Sequence, residues 1–306
     1  ADAYMRELLC RQGGIDWCVT EFVRVTDTLL PPSTFYRIAP ELKRGSATSN
    51  GSPVRVQLLG SDPVCLAENA AQVAELGAAA VDLNFGCPAK TVNKSKGGAI
   101  LLKEPERLFR IAEQVKAALP NTMLTAKMRL GYETTDPALD CAHALAQGGA
   151  EQLVVHARTK VQGYKPPAHW EWIARIQDAV SVPVVANGEI WSPDDWKRCR
   201  EGRGVQSVMI GRGLVTRPDL AQAIKMRHAG QGYHPLTWLA MISVLLDFWA
   251  DVRSRISDRH APGRLKQWLV MLGRYYPEAQ TMFNSLRRET DVAAVERLLH
   301  NELRRA

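Results

Sequence analysis

Val81-Asp-Leu-Asn-Phe-Gly-Cys-Pro-Ala-Lys-Thr-Val-Asn-Lys-Ser-Lys-Gly-Gly98 is a short apolar run that breaks into a basic loop containing glycine and proline. Val81, Leu83 and Phe85 alternate with other residues as the side chains of a strand do, and the Gly and Pro that follow end the strand. We therefore expect Cys87 at the carboxyl end of a strand. In parallel α/β proteins that end is where active sites are built.

Cys87 is suited to proton transfer. A free thiol has a pKa near ~8.5, so at neutral pH it can act as a general acid, and as a thiolate it can act as a nucleophile. The alternative is a small buried hydrophobe, which is how most free cysteines behave. The six cysteines contain no Cys-x-x-Cys pair, which argues against a zinc site and against a disulfide framework.

Composition indicates a soluble globular protein. The chain has 306 residues, 46% of them hydrophobic and 23% charged, and it lacks both an apolar signal segment and a run of roughly 18 apolar residues. We expect a cytoplasmic protein that does not enter membranes. The net charge of +7 and the pI near 9.2 favour a polyanionic partner, although a solvated basic helix surface would give the same balance.

Short β-branched runs alternate with helical stretches through the first three quarters of the chain, which is the pattern of βα units. This pattern predicts a (β/α)8 TIM barrel with one strand missing. An open doubly wound sheet is the alternative, but no Gly-x-Gly-x-x-Gly follows an early strand. The runs are Trp17–Val23, Val54–Leu59, Val81–Phe85, Leu124–Met128, Gln152–His156, Val182–Ala186 and Ser207–Ile210.

Helices are predicted between these runs and after them. The chain opens in an amphipathic helix, and caps or prolines mark helices at Glu68–Leu76, Pro105–Leu119 and Pro193–Arg200. From Pro235 onward apolar residues recur at helical spacing, as expected for the core of an α-helical bundle. We predict a barrel domain over 1–232 and a C-terminal helical domain over 233–306.

Several strands end in polar residues that a hydrophobic barrel does not require. Gln57 and Lys127 lie inside apolar strands, where a buried amide needs partners and a buried cation needs an anion or an electron-rich ring. His156 ends the next strand. Alternatives are a lysine that points outward and a histidine with a purely structural role.

The last two predicted strands are followed by Asn187-Gly-Glu189 and Gly211-Arg-Gly213. Barrels often bind phosphate between these two loops, where glycines let backbone N–H groups approach an anion. Ordinary turns are the alternative.

The segment Asn84-Phe-Gly-Cys-Pro-Ala-Lys90 resembles the signature of the tRNA-dihydrouridine synthases, flavin enzymes that reduce a uracil ring in tRNA. The resemblance covers nearly the whole chain. It is strongest to the bacterial C-type subfamily, on the segments Thr20–Val25, Gln162–Tyr164 and Arg264–Trp268.

The resemblance implies FMN as cofactor and NADPH as reductant. It places Gln57, Lys127 and His156 against the flavin ring. Family members begin with a strand that ends in a Pro-Met pair touching the flavin, and this sequence lacks that strand, so we expect a barrel that is one strand short. Gly188, Gly211 and Arg212 suit the phosphate of FMN, and Asn187 and Glu189 beside Gly188 are also expected to bind the cofactor.

The resemblance also implies a reaction. NADPH reduces FMN, and hydride then passes to carbon 6 of a uracil while Cys87 protonates carbon 5. Asn84 would orient the edge of the uracil, and the favoured target would be uridine 16 in the D-loop. The residues expected on the tRNA surface are Arg24, Tyr164, Lys266 and Arg287.

Two other functions stay open at this point. A flavin barrel acting on a free pyrimidine, like the dihydroorotate dehydrogenases, would not need the basic helical region. A non-catalytic RNA-binding protein would not need Gln57, Lys127 and His156 together. We expect a monomer without a metal ion.

Overall fold

The computed structural model describes residues 1–201 and 204–305. The chain forms two compact units. The barrel unit comprises Ala1–Arg6, Ile15–Ile190 and Asp194–Ile210, and the helical unit comprises Glu7–Gly14, Trp191–Pro193 and Gly211–Ala306. The division into domains at 232/233 stays a prediction.

The barrel unit contains a parallel sheet in the order β1-β3-β4-β5-β6-β7-β8, with β2 also paired to β3. In the part of the chain that the structure describes, no ladder joins β8 to β1 or β2. This parallel sheet with helices between its strands agrees with the TIM-barrel-like α/β fold that the sequence predicts. The strands are β1 (Cys18–Val19), β2 (Val23–Arg24), β3 (Val54–Leu59), β4 (Ala80–Phe85), β5 (Met123–Arg129), β6 (Gln152–His156), β7 (Val184–Asn187) and β8 (Ser207–Met209).

Two of the predicted runs differ from the observed strands by more than a single residue at an end. The first run is predicted as one strand but forms both β1 and β2. Val19 pairs with Arg55 and Val23 pairs with Leu58, so the segment from β1 to β2 has one residue more than the part of β3 that it faces. β7 begins at Val184 and not at residue 182, since a proline at 183 cannot donate to a ladder.

Helices connect the strands and continue beyond them, and those predicted from caps and period are confirmed within a few residues. They are α1 (Ala3–Arg11), α2 (Pro32–Ile38), α3 (Pro63–Glu75), α4 (Lys90–Lys94), α5 (Pro105–Ala117), α6 (Ala138–Gln147), α7 (Glu171–Ala179), α8 (Pro193–Arg200), α9 (Arg212–Thr216), α10 (Leu220–His228), α11 (Trp238–Arg255), α12 (Ala261–Leu272), α13 (Pro277–Leu286) and α14 (Val292–Arg305).

The α3 helix shows how local sequence sets these elements. The side chain of Asp62 accepts a hydrogen bond from the backbone N–H of Cys65 at 2.8 Å, which caps the helix, and Pro63 occupies its first turn. The helix stops before Gly77, whose φ of 88° favours glycine. The helices cover the outer faces of the strands, so that residues such as Val56 and Leu58 are fully buried.

The helical unit has an apolar core made by α11 to α14. Thr237 caps α11 by accepting from the N–H of Ala240. The ring of Trp268 lies 4.6 Å from that of Phe248, and its indole N–H donates to the carbonyl of Val215 at 2.9 Å. The predicted helical bundle is therefore present. Among the residues described, no helix is both long and apolar enough to cross a membrane.

Candidate active site

The inner face of the barrel sheet is polar. Strand register places Gln57 beside Asp82, and Asn84 beside Lys127. Alternate residues of a strand face the same side, so these side chains point into the barrel while their neighbours in sequence face the helices. A buried polar interior is costly unless its groups are paired, and most of the groups in this barrel are.

A chain of hydrogen bonds joins three strands across this interior. Gln57 Nε2 donates to Asp82 Oδ2 at 2.7 Å, and Asn84 Nδ2 donates to Gln57 Oε1 at 2.7 Å. Asn84 Oδ1 in turn accepts from the backbone N–H of Gly86 at 2.9 Å. The hydroxyl of Thr125 donates to the other oxygen of Asp82 at 2.5 Å. The predicted cofactor residue Gln57 and the predicted substrate residue Asn84 are thus in direct contact.

Lys127 is the unusual cation of this site. It makes no hydrogen bond or ion pair with any of the described residues, although it is half-buried in β5. Burial, and then the charge of Arg129, lowers the pKa of its amine to about 8, against smaller opposing effects of Asp82 and Cys87. A protonated amine that is half-buried and has no ion-pair partner is stabilised by an anion or an electron-rich ring as a neighbour.

Cys87 lies two residues after the end of β4 and is buried. Its loop is held by Asn93, whose Nδ2 donates to the carbonyls of Cys87 at 2.9 Å and Ala89 at 2.8 Å, while its Oδ1 accepts from Ile100 N at 2.8 Å. Gly98 has a φ of 68°, and a Cβ there would lie 2.9 Å from the Cys87 carbonyl oxygen. The loop therefore fixes the backbone of the cysteine on two sides.

Arg129 is a site residue that the sequence analysis did not single out. Its Nε donates to the carbonyl of Gly86 at 2.9 Å, and its Nη1 donates to the carbonyls of Thr159 and Gly163 at 3.0 and 2.9 Å. The guanidinium lies 5.3 Å from the ring centre of Tyr164. Arg129 thus links the cysteine loop to the loop after β6. The signal in the sequence was its spacing of two residues from Lys127 in the same strand.

His156 is held by a second arginine. Arg158 Nη1 lies 3.3 Å from His156 Nε2, and because a guanidinium only donates, this ring nitrogen is the acceptor. Arg158 is fully buried; it donates to the carbonyl of Lys165 at 2.7 Å and forms an ion pair with Glu189 at 2.8 Å. A Cβ at Gly188 would lie 3.0 Å from the His156 ring, so glycine is needed at this position. Glu189, predicted as a cofactor-binding residue, neutralises Arg158.

Asn187 also has a structural contact. Its Nδ2 donates to the carbonyl of Met209 at 2.9 Å, which ties the end of β7 to β8. The indole N–H of Trp170 donates to the carbonyl of Gly188 at 3.0 Å. The turn after β7 is thus fixed from both sides.

Two of the predicted substrate residues lie near this edge of the barrel. Arg24 donates to the hydroxyl of Ser95 in the cysteine loop at 2.8 Å. The ring of Tyr164 lies 5.9 Å from that of His156, and 53% of the Tyr164 residue surface is exposed. A half-exposed aromatic ring beside a buried polar site is able to stack on a planar base.

The remaining predicted residues belong to the helical unit. Gly211 and Arg212 follow β8 in the chain, and the guanidinium groups of Arg212 and Arg274 lie 5.1 and 5.2 Å from the ring centre of Trp191. Lys266 Nζ donates to the backbone carbonyls of Arg287 and Glu289 at 3.3 and 2.5 Å. Lys266 and Arg287 are therefore neighbours, and their role at the tRNA surface stays a prediction.

The described residues do not build a metal centre from the usual ligands. Within residues 1–201 and 204–305, no group of three His, Cys, Asp or Glu side chains could hold a metal ion. The groups able to hold a planar heterocyclic cofactor are the amides of Gln57 and Asn84, the amine of Lys127 and the ring of His156.

A model of the dihydrouridine synthase (Dus) family matches residues 1–247 of this chain. The tRNA-dihydrouridine(16) synthase of Pseudomonas putida is 61% identical over 299 residues, which cover 97% of this chain and 93% of that protein. The tRNA-dihydrouridine(16) synthase of Ralstonia nicotianae is 51% identical over 306 residues, which cover 100% of this chain and 94% of that protein.

Solved structures support the fold. Histamine dehydrogenase from Rhizobium sp. 4-9 aligns with a TM-score of 0.54 at 17% identity, over 75% of this chain and 43% of that one. A variant of NCR from Zymomonas mobilis aligns with a TM-score of 0.52 at 12% identity, over 78% of this chain and 84% of that one. At these identities the likeness concerns the fold alone.

Proposed function

This chain belongs to the dihydrouridine synthase family, and we propose on that basis that it reduces a uridine of tRNA, at position 16, to 5,6-dihydrouridine. It is an oxidoreductase, and the proposal concerns its substrate, its cofactors and the roles of its residues. The observation that carries it is Cys87, held in a fixed loop at the end of β4, next to a strand pair that presents Asn84 and Lys127.

The residues of the barrel interior fit FMN. Lys127 is a half-buried amine with no protein partner among the described residues, and the Gln57 and Asn84 amides each keep hydrogen-bonding capacity beyond their mutual contact. When bound, FMN would supply hydride to carbon 6 of the uracil after reduction by NADPH. Lys127 would favour the negative charge of the reduced ring, and Gly211 and Arg212 are proposed for the phosphate.

Cys87 would complete the reduction. The carbon 5–carbon 6 double bond of uracil takes hydride at carbon 6, and the resulting negative charge at carbon 5 takes the proton of the Cys87 thiol. The thiolate then regains a proton from solvent. General-acid assistance of this kind is typically worth about 10²–10⁴-fold in rate. Asn84 would orient the edge of the base.

The base must leave the folded RNA to reach this site. A stacked or paired uracil hides the atoms that react, so the nucleotide must be turned out toward the barrel. Tyr164, half exposed above His156, would stack on it, and Arg24 beside the cysteine loop would meet the RNA backbone. The monomeric state, the cytoplasmic location and chemistry without a metal stay predictions.

The test is to incubate the purified protein with FMN, NADPH and unmodified tRNA and to map dihydrouridine. We expect the modification at uridine 16. A protein that retains flavin but reduces only a free pyrimidine would support the dihydroorotate-dehydrogenase-like alternative. A protein that binds tRNA without retaining FMN would support a non-catalytic RNA-binding role. Modification confined to another uridine would refute the choice of position 16.

A further inference from the structure

Asp82 is a buried carboxylate at the centre of the barrel unit. It is fully buried, and its two oxygens accept from Thr125 at 2.5 Å and from Gln57 at 2.7 Å. Burial raises the pKa of this carboxyl, while the hydrogen bonds from Thr125 and Gln57 and the charge of Arg55 act in the opposite direction. A charge at such a site is costly, and a barrel core could do without it.

We propose that Asp82 is a positioning residue that fixes the orientation of two side-chain amides, those of Gln57 and Asn84. The inference rests on the proposed function, because that function assigns Gln57 to the flavin and Asn84 to the uracil. Asp82 itself does not touch either ligand in this scheme; it acts through Gln57.

The chain of hydrogen bonds from Asp82 to Gly86 has a single direction. A carboxylate only accepts, so the NH₂ group of Gln57 must face Asp82 and its oxygen must face Asn84. The NH₂ group of Asn84 must then face Gln57, which leaves its oxygen for the backbone N–H of Gly86. A backbone N–H only donates, so both ends of the chain require the same direction. One orientation of each amide satisfies every bond.

This orientation matters to a ligand. An amide group has two N–H donors and an oxygen with two lone pairs, so Gln57 and Asn84 each keep one donor and one acceptor for other partners. The flavin ring and uracil both carry an edge of carbonyl, N–H and carbonyl. A reversed amide would place an oxygen against a carbonyl oxygen, or an N–H against an N–H, and the unpaired groups would weaken binding.

The experiment is Asp82→Asn, which keeps the size of the side chain but replaces one acceptor oxygen by a donor. The Asp82 end of the chain then no longer requires one direction, and only the N–H of Gly86 at the other end still does. We expect the dissociation constant of FMN, measured by fluorescence titration of the stripped protein, to rise at least tenfold. In protein labelled with ¹⁵N-asparagine, we expect hydrogen exchange of the Asn84 side-chain amide to become at least tenfold faster.

The matched control is Asp219→Asn in the helical unit. Asp219 is also a buried carboxylate, and it accepts from Arg217, Tyr233 and the N–H of Leu236. We expect this control to lower the Tm while leaving the dissociation constant of FMN and the exchange of Asn84 unchanged. This control distinguishes the effect of reorienting the two amides from the effect of losing any buried carboxylate.

A double variant, Asp82→Asn with Gln57→Glu, moves the carboxylate one position along the chain and keeps the net charge of the interior. The new carboxylate accepts from Asn84 Nδ2, so we expect slow exchange of the Asn84 amide to return while FMN stays weakly bound. This variant also tests the proposal if Asp82→Asn alone does not fold.

The affinity of the wild-type protein for FMN distinguishes a failure of the proposed function from a failure of the proposed role of Asp82. If the wild-type protein binds no FMN, the proposed function fails. If it binds FMN and Asp82→Asn matches it in both FMN affinity and Asn84 exchange, the proposed role of Asp82 is overturned. Fast exchange of Asn84 in the double variant would overturn it as well.

Discussion

Asn93 donates a hydrogen bond from its side chain to the backbone carbonyl of Cys87 at 2.9 Å, and this bond closes the loop that carries the thiol. The same NH₂ group reaches the carbonyl of Ala89 at 2.8 Å. Since Asn93 is itself buried, water cannot replace these bonds cheaply. The position of Cys87 therefore depends on a residue six positions further along the chain.

Asn93→Asp tests this dependence. The carboxylate keeps the acceptor for Ile100 N but turns an oxygen toward the carbonyls of Cys87 and Ala89, so the loop should open. An unpaired buried polar group costs about 1–3 kcal/mol, which corresponds to roughly 5- to 150-fold in a rate that needs the closed loop. We expect dihydrouridine formation to fall by that factor and alkylation of Cys87 by iodoacetamide to change in rate.

Asn69→Asp is the matched control for that change. Asn69 is fully buried, donates to the carbonyls of Cys65 and Thr28, and accepts from Leu30 N, so it has the same hydrogen-bonding pattern away from the Cys87 loop. We expect a similar fall in Tm with normal turnover per bound flavin. Equal losses of turnover in both variants would mean that Asn93 supports only the stability of the fold.

Cys87→Ala should separate the two halves of the reaction. Removal of the thiol takes away the proton donor only, so NADPH should still reduce the bound flavin while dihydrouridine formation drops by about 10²-fold or more. Cys141→Ala is the control, because Cys141 is a buried thiol that donates to the carbonyl of Leu102. Near-normal turnover of Cys87→Ala on natural tRNA would remove Cys87 from the mechanism.

Lys127 should give flavin reduction a pH dependence. With its pKa lowered to about 8, the amine holds its proton below that pH and loses it above. Its positive charge favours the reduced ring, so the rate of flavin reduction by NADPH should decline as the pH rises through about 8. In Lys127→Met, the reduction of flavin by NADPH should be slow at every pH. Lys127→Arg cannot lose its charge in this range and should show no decline; a decline in that variant would assign the pH dependence to another group.

The same shift in pKa affects stability. An unfolded lysine has a pKa near ~10.4, so between about pH 8 and that value the unfolded chain binds more protons than the folded one, and the free energy of unfolding rises with pH. The cost of the buried charge is present below pH 8, where it opposes folding. We expect Lys127→Met to stabilise the flavin-free protein more at pH 7 than at pH 9.5 in urea denaturation. An equal gain at both pH values would contradict the shift.

Sequence patterns predicted the strands because apolar alternation and flanking Gly or Pro are local signals. β3 and β6 have the predicted bounds, and the parallel α/β sheet with helices between its strands is confirmed. Arg129 was not predicted as a site residue, because its importance comes from carbonyls of Gly86, Thr159 and Gly163 that only the fold brings together. The ion pair of Glu189 with Arg158 could not be predicted either, because only the fold brings these two side chains together.

The helical unit is predicted to bind the tRNA body through Arg264, Lys266 and Arg287. Folded RNA is recognised by shape and phosphate contacts, and each phosphate that a cation neutralises releases counterions. Neutralising all three residues with Gln should therefore weaken tRNA binding and make the slope of log K against log salt less steep. Flavin content and NADPH oxidation should not change.

The three cations should differ in one respect. Lys266 donates to the carbonyls of Arg287 and Glu289, just beyond the end of α13, where a positive charge is favourable, so Lys266→Gln alone should lower the Tm. Arg287 is exposed and is expected to affect RNA binding alone. Filter binding of tRNA between 50 and 200 mM salt, a range in which such contacts typically change affinity strongly, measures the slope for each variant. An unchanged affinity and slope in the triple variant would place the tRNA surface elsewhere on the protein.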